Sequence, residues 1–200
     1  MSSEAVQAVS DETHLVEVPV NSKLVYDGSF LKVKCDTVRL PNGHNATREY
    51  VVHPGAVVVV AQLDDGRLLV ERQHRYPVGM VMTEFPAGKI DPGEDPFVCG
   101  RRELFEETGY TARQWAYAGA LHLAIAYSTE IIHIYFARDL RAGERQLDED
   151  EFLDVDTMSL PEMLAASREG RITDAKTLTC LLWAQNVIDG AWQLDWQDVE

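Results

Sequence analysis

The sequence predicts an α+β fold, a sandwich in which helices flank a mixed β-sheet, preceded by a small antiparallel β subdomain. Three observations carry this expectation. The run HPGAVVVVAQL is almost continuously β-branched and apolar, as a strand buried on both faces must be. Helical patterns occur near residues 96–108, 160–169 and 173–188. Between residues 13 and 53 the chain instead reads as short strands separated by turn residues.

Taken in order, residues 1–12 are polar and are expected to form a flexible tail. Residues 13–53 form the β subdomain, as HLVEVPV, then KLVYDGSFLKVKCDTVRL with Asp27 and Gly28 at a hairpin turn, then TREYVVH. The main domain is expected over 54–190, with 191–200 as a C-terminal tail. Its first strand is followed by Asp64, Asp65 and Gly66 as a turn and by RLLVERQHR as a second strand. Residues 84–88 open a loop rich in Gly, Pro and acid. Asp95 is a good N-cap, Pro96 suits the first helical position, and Gly109 suits the position just past the end, so a helix is expected over 96–108. Strands follow at WAYAGALHLA and EIIHIYFAR, and an acidic segment, LDEDEFLDVDTM, precedes the last two helices.

Composition excludes several functions. The chain has 200 residues and a formal charge of −15, which opposes binding to nucleic-acid phosphates. No stretch approaches the roughly twenty apolar residues of a membrane span, and the amino terminus has no basic start or apolar signal segment. The expected location is the cytoplasm. Cys35, Cys99 and Cys180 are far apart and odd in number, fitting neither a disulfide framework nor a CxxC metal site. If the substrate is an anion, a bound cation must mediate its approach to so acidic a protein.

The helix at 96–108 carries the chemistry. At about 100° per residue, Phe97, Val98, Leu104 and Phe105 fall on one side and Glu103, Glu106 and Glu107 on the other. Cys99 and Gly100 lie one turn earlier on the acidic side and present little bulk there. Three carboxylates within a turn repel one another and call for compensation. Oxygen ligands without thiolate or imidazole suit Mg²⁺ or Mn²⁺. Arg102 neutralises part of the cluster, and pairing with Glu94 is the expected way for it to pin the loop. A run such as RRELFEETG taken alone is a solvated helix face, but its spacing from Gly88 and Glu94 is not accidental. Seven fixed residues, each at a frequency of about 6%, would align by chance on the order of once in a million chains of this length.

Gly88, Glu94, Arg102, Glu103, Glu106, Glu107 and Gly109, with Tyr110 after them, match the Nudix box, and the chain resembles the Nudix hydrolases. The resemblance implies an αβα sandwich and divalent-cation-dependent hydrolysis of a nucleoside diphosphate linked to another group. It marks Glu103 and Glu107 as the main metal ligands, with Glu106 and the carbonyl of Ala87 beside them. VERQHRYPVG, EFPAGKIDPGED and AYSTEIIHIYFAR further resemble the ADP-ribose pyrophosphatases, which implies conversion of ADP-ribose to AMP and ribose 5-phosphate. Those enzymes are typically homodimers whose amino-terminal β subdomain contacts the partner chain. By the same likeness Arg75 meets the diphosphate, Glu84 and Glu130 lie at the substrate, and Arg48 meets the adenosine end. Glu149 is the expected general base, with Glu151 as a second base or auxiliary ligand.

One residue departs from the pattern. Ile125 stands where these enzymes carry a proline, about sixteen residues past the box glycine, so the loop keeps its length and loses a constraint. Another nucleotide sugar or a dinucleotide is therefore the alternative substrate. A nucleotide-sensing regulator without catalysis is the alternative of another class. The histidines on or beside strands, His53, His74, His122 and His133, are assigned to packing. Trp115, Trp183, Trp192 and Trp196 are assigned to core or interface, while Tyr26 and Phe30 are candidates for base stacking.

Overall fold

A computed structural model describes residues 12–147 and 151–199. Its strands are β1 (Val18–Asp27), β2 (Lys32–Arg39), β3 (Asn45–Val52), β4 (Ala56–Ala61), β5 (Leu68–Arg75), β6 (Met80–Glu84), β7 (Ala87–Lys89), β8 (Tyr110–Leu121), β9 (Ile132–Ala142), β10 (Leu153–Met158) and β11 (Gln197–Asp198). Its helices are α1 (Pro96–Thr108), α2 (Leu160–Arg168) and α3 (Ala175–Ile188). The chain divides into two units between His53 and Pro54, and the first also takes in Ala126–Thr129.

The second unit is organised by β4. Because side chains alternate along a strand, its apolar run faces two ways. Val58 and Val60 pack with Met163 and Ala166 of α2 and with Cys180, Leu181 and Ala184 of α3. Val57, Val59 and Ala61 pack with Cys99 and Leu104 of α1. The helices therefore cover both faces, as expected for an αβα sandwich. β4 runs parallel to β9 and antiparallel to β7 in a five-stranded sheet of order β11-β8-β9-β4-β7. A second sheet has the order β10-β5-β6.

The first unit is the antiparallel sheet β1-β2-β3. The segment Ala126–Thr129 is tied to it: the Val51 N–H donates to the Tyr127 carbonyl at 2.8 Å, and the Thr129 N–H to the Val51 carbonyl at 3.0 Å. Every residue of β1 is exposed, so this layer carries an apolar surface that includes Val18, Val20, Leu24 and Tyr26.

Several elements differ from the sequence expectation. β1 is one continuous strand and not two, because register shifts near Pro19 and Leu24 absorb its irregularities. Asp27 pairs with Lys32, so the turn spans residues 28–31 and is closed by the Gly28 N–H on the Leu31 carbonyl. The strands β6, β7 and β10 were not expected. β10 was hidden by its acids: Leu153, Val155 and Thr157 alternate with exposed Asp154 and Asp156, which is the period of a half-buried strand. Residues 191–199 are not a free tail. Gln197 pairs with Trp115, the Val199 N–H reaches the Arg113 carbonyl, and the Arg138 guanidinium lies 3.9 Å from the centre of the Trp196 ring. Residues 1–11 lie outside the described part of the chain. No helix among the described residues is long and apolar enough to cross a membrane.

The start of α1 is set locally. The Asp95 side chain accepts the Phe97 and Val98 N–H groups at 2.9 and 3.4 Å, and Gly109 ends the helix at φ 76°. Asp95→Ala is expected to cost about 1 kcal/mol, and Leu104→Ala, from a fully buried position, about 3 kcal/mol. Urea unfolding with unchanged m-values checks both.

Candidate active site

Helix α1 does not sit with an apolar side inward and an acidic side outward. Its buried residues are Cys99, Gly100, Leu104, Glu107 and Thr108, while Val98 is exposed. The buried sector is thus rotated toward the acids. Gly100 allows this, since a Cβ there would stand 3.0 Å from Val57 Cγ1. Cys99 and Gly100 consequently form packing surface against the sheet and do not leave an open approach to the carboxylates. Glu107 is carried inward to 2% exposure.

The loop before α1 meets these acids through its backbone. Ala87 lies opposite Val58, while Val59 bonds to Pro86 and Ile90 to Gly55. The alternation of an antiparallel ladder therefore turns the N–H and C=O of Ala87 off the sheet edge. The N–H donates to Glu107 Oε2 at 3.1 Å, and the carbonyl belongs to the same edge. At Gly88 an added Cβ would stand 1.8 Å from Glu103 Cδ, so only glycine lets that carboxylate lie against the strand.

Arg102 fastens the outer part of the cluster. Its Nε and Nη2 donate to the two Glu94 oxygens, both at 2.9 Å, and Nη1 donates to Glu103 at 2.8 Å and Glu106 at 3.0 Å. Glu94 also accepts the Asp91 N–H, which closes the loop on itself. The Arg102 guanidinium holds Glu94 down at about 2.

The inner part of the cluster contains residues that the box does not specify. Glu71 of β5 pairs in register with Glu84 of β6, and both are buried. Glu84 accepts from Arg75 Nε at 2.8 Å and Nη2 at 3.0 Å, and Lys176 of α3 donates to it as well. Lys176 also donates to Asp174, the N-cap of α3, at 3.0 Å. Burial pushes the Glu84 carboxyl up, but Arg75 and Lys176 outweigh burial and leave it below the usual range. Glu71 has no such help, and no donor among the described residues reaches either of its oxygens. Burial first, then the neighbouring acids, drive Glu71 and Glu107 upward together, and burial raises Glu103 to about 7. Glu151 is close enough to push Glu103 and Glu107 up further.

The residues singled out from sequence thus divide. Glu103, Glu106, Glu107, Arg102, Glu94, Gly88 and Ala87 come together, with Glu151 near them. Arg75 and Glu84 face each other, and Glu84 is sealed at 2% exposure, so it acts on Arg75 and is not open to a ligand. Arg48 is held by Glu17 within the first unit. Glu130 lies half-buried just ahead of β9. Glu149 falls outside the described residues. Glu71 and Lys176 were missed. Each had one signal, a charged residue on a strand or helix otherwise composed for burial, and their shared neighbour Glu84, 13 positions from one and 92 from the other, cannot be read from that.

This donor set fits a hard divalent cation. It offers oxygen only, its acids exceed the nearby bases, and one buried carboxylate has no protein donor. Among the described residues no three His, Cys, Asp or Glu side chains converge to enclose an ion.

The chain is similar to known proteins. Residues 52–179 match the NUDIX domain model, and residues 19–51 match that of the nucleoside diphosphate sugar hydrolase N-terminal domain. The chain is 39% identical to a methanol dehydrogenase activator of Bacillus methanolicus, over 84% of this chain and 92% of the relative. It is 36% identical to an ADP-ribose pyrophosphatase of Bacillus subtilis, over 86% and 94%. A GDP-mannose pyrophosphatase of Yersinia enterocolitica is 33% identical over 66% and 73%. A crystal structure of an ADP compounds hydrolase superposes with a TM-score of 0.79 at 25% identity, covering 88% of this chain and 95% of that one.

The buried Lys176–Glu84 contact yields a test. Lys176→Met is expected to cost about 3 kcal/mol, because Glu84 keeps only Arg75, and adding Glu84→Met is expected to restore most of it. Urea unfolding of the two variants measures this; a single variant as stable as the parent counts against the network.

Proposed function

The chain belongs to the Nudix hydrolase family, and on that footing we propose that it hydrolyses the diphosphate of ADP-ribose to AMP and ribose 5-phosphate. The observation that carries this reading is the packing of Glu103 on bare Gly88 beside a buried Glu107, on the edge that presents the Ala87 carbonyl. The extended likeness to ADP-ribose pyrophosphatases supports the substrate.

Nudix hydrolases generally require divalent cations. In this chain Glu103, Glu107 and the Ala87 carbonyl are the residues to hold Mg²⁺ or Mn²⁺, with Glu106 on the outer side. A cation bound there supplies positive charge against the diphosphate oxygens and acidity to water. Arg75 spends two of its five N–H groups on Glu84 and has the rest for the diphosphate, since its side chain is 39% exposed. Glu84 and Lys176 fix its position. Glu149 takes the proton of the attacking water as the P–O–P bond breaks, and Glu151 assists beside the box glutamates.

Three observations favour two other readings. Ile125, 81% exposed in place of the proline, and the GDP-mannose relatives favour another nucleotide sugar. The activator relative favours a regulatory role. AMP release from ADP-ribose with Mg²⁺, compared with GDP-mannose, NADH and diadenosine substrates, separates the three. ADP-ribose is expected to rank first, and Glu107→Gln and Glu149→Gln are each expected to lower turnover by about two orders of magnitude or more while the fold persists. Tight binding with no hydrolysis of any substrate would establish the regulator.

The exposed apolar surface of the first unit, with Val18, Val20, Leu24, Tyr26 and Phe30, supports a homodimer formed through that sheet. Three free cysteines agree with a reducing compartment, the cytoplasm. Sedimentation is expected to give a dimer at micromolar concentration; a monomer there removes the role assigned to residues 13–53.

A further inference from the structure

Glu71 is a buried charge that neither the fold nor the box explains. It is fully buried, and both of its oxygens lack a donor among the described residues. On β5 it shares the parity of Leu69, whose side chain lies in the cluster with Leu104 of α1, so it is directed to the α1 side of the sheet. There it lies within hydrogen-bonding reach of the Glu107 carboxyl, a neighbour that is itself an acid. The nearest bases, Arg75 and Lys176, direct their hydrogen bonds to Glu84, its cross-strand neighbour, and not to Glu71. A merely structural residue at this place would be apolar, because burying an unpaired carboxylate costs far more than it returns.

We propose that Glu71 is a positioning residue of the cation site: held behind Glu107 with no basic side chain bonded to it among the described residues, its carboxylate adds the negative charge that draws a divalent cation to Glu103 and Glu107. This rests on the reading that those two glutamates hold the cation. Glu71 is not proposed as a ligand itself, since it is fully buried behind Glu107. It acts through Glu107, in the manner of outer groups whose loss typically weakens metal binding by about 10- to 100-fold. Its retention lowers the stability of the cation-free protein, and binding recovers that loss.

The test uses the full chain freed of metal by chelator, with Mn²⁺ alone as the probe. Glu71→Gln keeps the shape and removes the charge, and Glu71→Met keeps the approximate volume and removes the polar group. Both are expected to bind Mn²⁺ at least about tenfold more weakly by calorimetry or by electron paramagnetic resonance of the free ion. Both are also expected to melt about 2–4 °C or more above the cation-free parent, with a smaller further rise when Mn²⁺ is added. A purely structural Glu71 gives the opposite pattern, a lower melting temperature with unchanged affinity, and that result overturns the proposal. Glu107→Gln separates the two levels. If it binds Mn²⁺ as the parent does, the underlying cation site is wrong. If it loses Mn²⁺ while both Glu71 variants bind as the parent does, only the role of Glu71 is lost.

Discussion

Everything at the candidate site depends on how closely α1 is pressed to the edge formed by β4 and β7. Gly100 removes bulk under the helix, and Gly88 removes it beside Glu103. Leu104 fills the space between. That contact turns the acids of the helix toward the sheet instead of toward water. In solvent three glutamates on one turn would be a minor electrostatic cost; partly buried, they repel in a medium that screens them poorly.

The structure answers that repulsion in layers. On the outside, Arg102 holds Glu94, Glu103 and Glu106 in a single fork of hydrogen bonds, which also fixes the loop carrying Gly88. Deeper in, Arg75 and Lys176 neutralise Glu84. Between the two layers Glu103, Glu107 and Glu71 remain undercompensated, and burial raises all three. On the function proposed above, the excess of negative charge there is what makes a divalent cation preferred over bulk water before an anionic diphosphate approaches.

The rest of the second unit serves this geometry. β4 is buried on both faces, so it couples α1 on one side to α2 and α3 on the other. Through α3, Lys176 reaches Glu84 across 92 positions of sequence, and through β5 and β6 Glu71 and Glu84 are set opposite each other. The C-terminal strand β11 and Trp196 close the far edge at β8 and β9, which is why residues 191–199 belong to the domain.

The sequence alone determined the elements whose signals are local. The cap at Asp95, the stop at Gly109 and the apolar run of β4 rest on neighbours within one turn or one strand, and the spacing from Gly88 to Glu107 is read along one continuous segment. They were enough to specify the sandwich and the box helix. Tertiary structure decided which way α1 faces, since an apolar count around the helix cannot show that Gly100 yields to Val57 and draws Glu107 inward. It also decided that Arg75 and Glu84 are partners, and it brought Lys176 and Glu71 to the site. Those roles depend on burial and on charges brought together by strand pairing and helix packing, and the cost of a buried charge is set by its surroundings, which no single stretch of sequence contains.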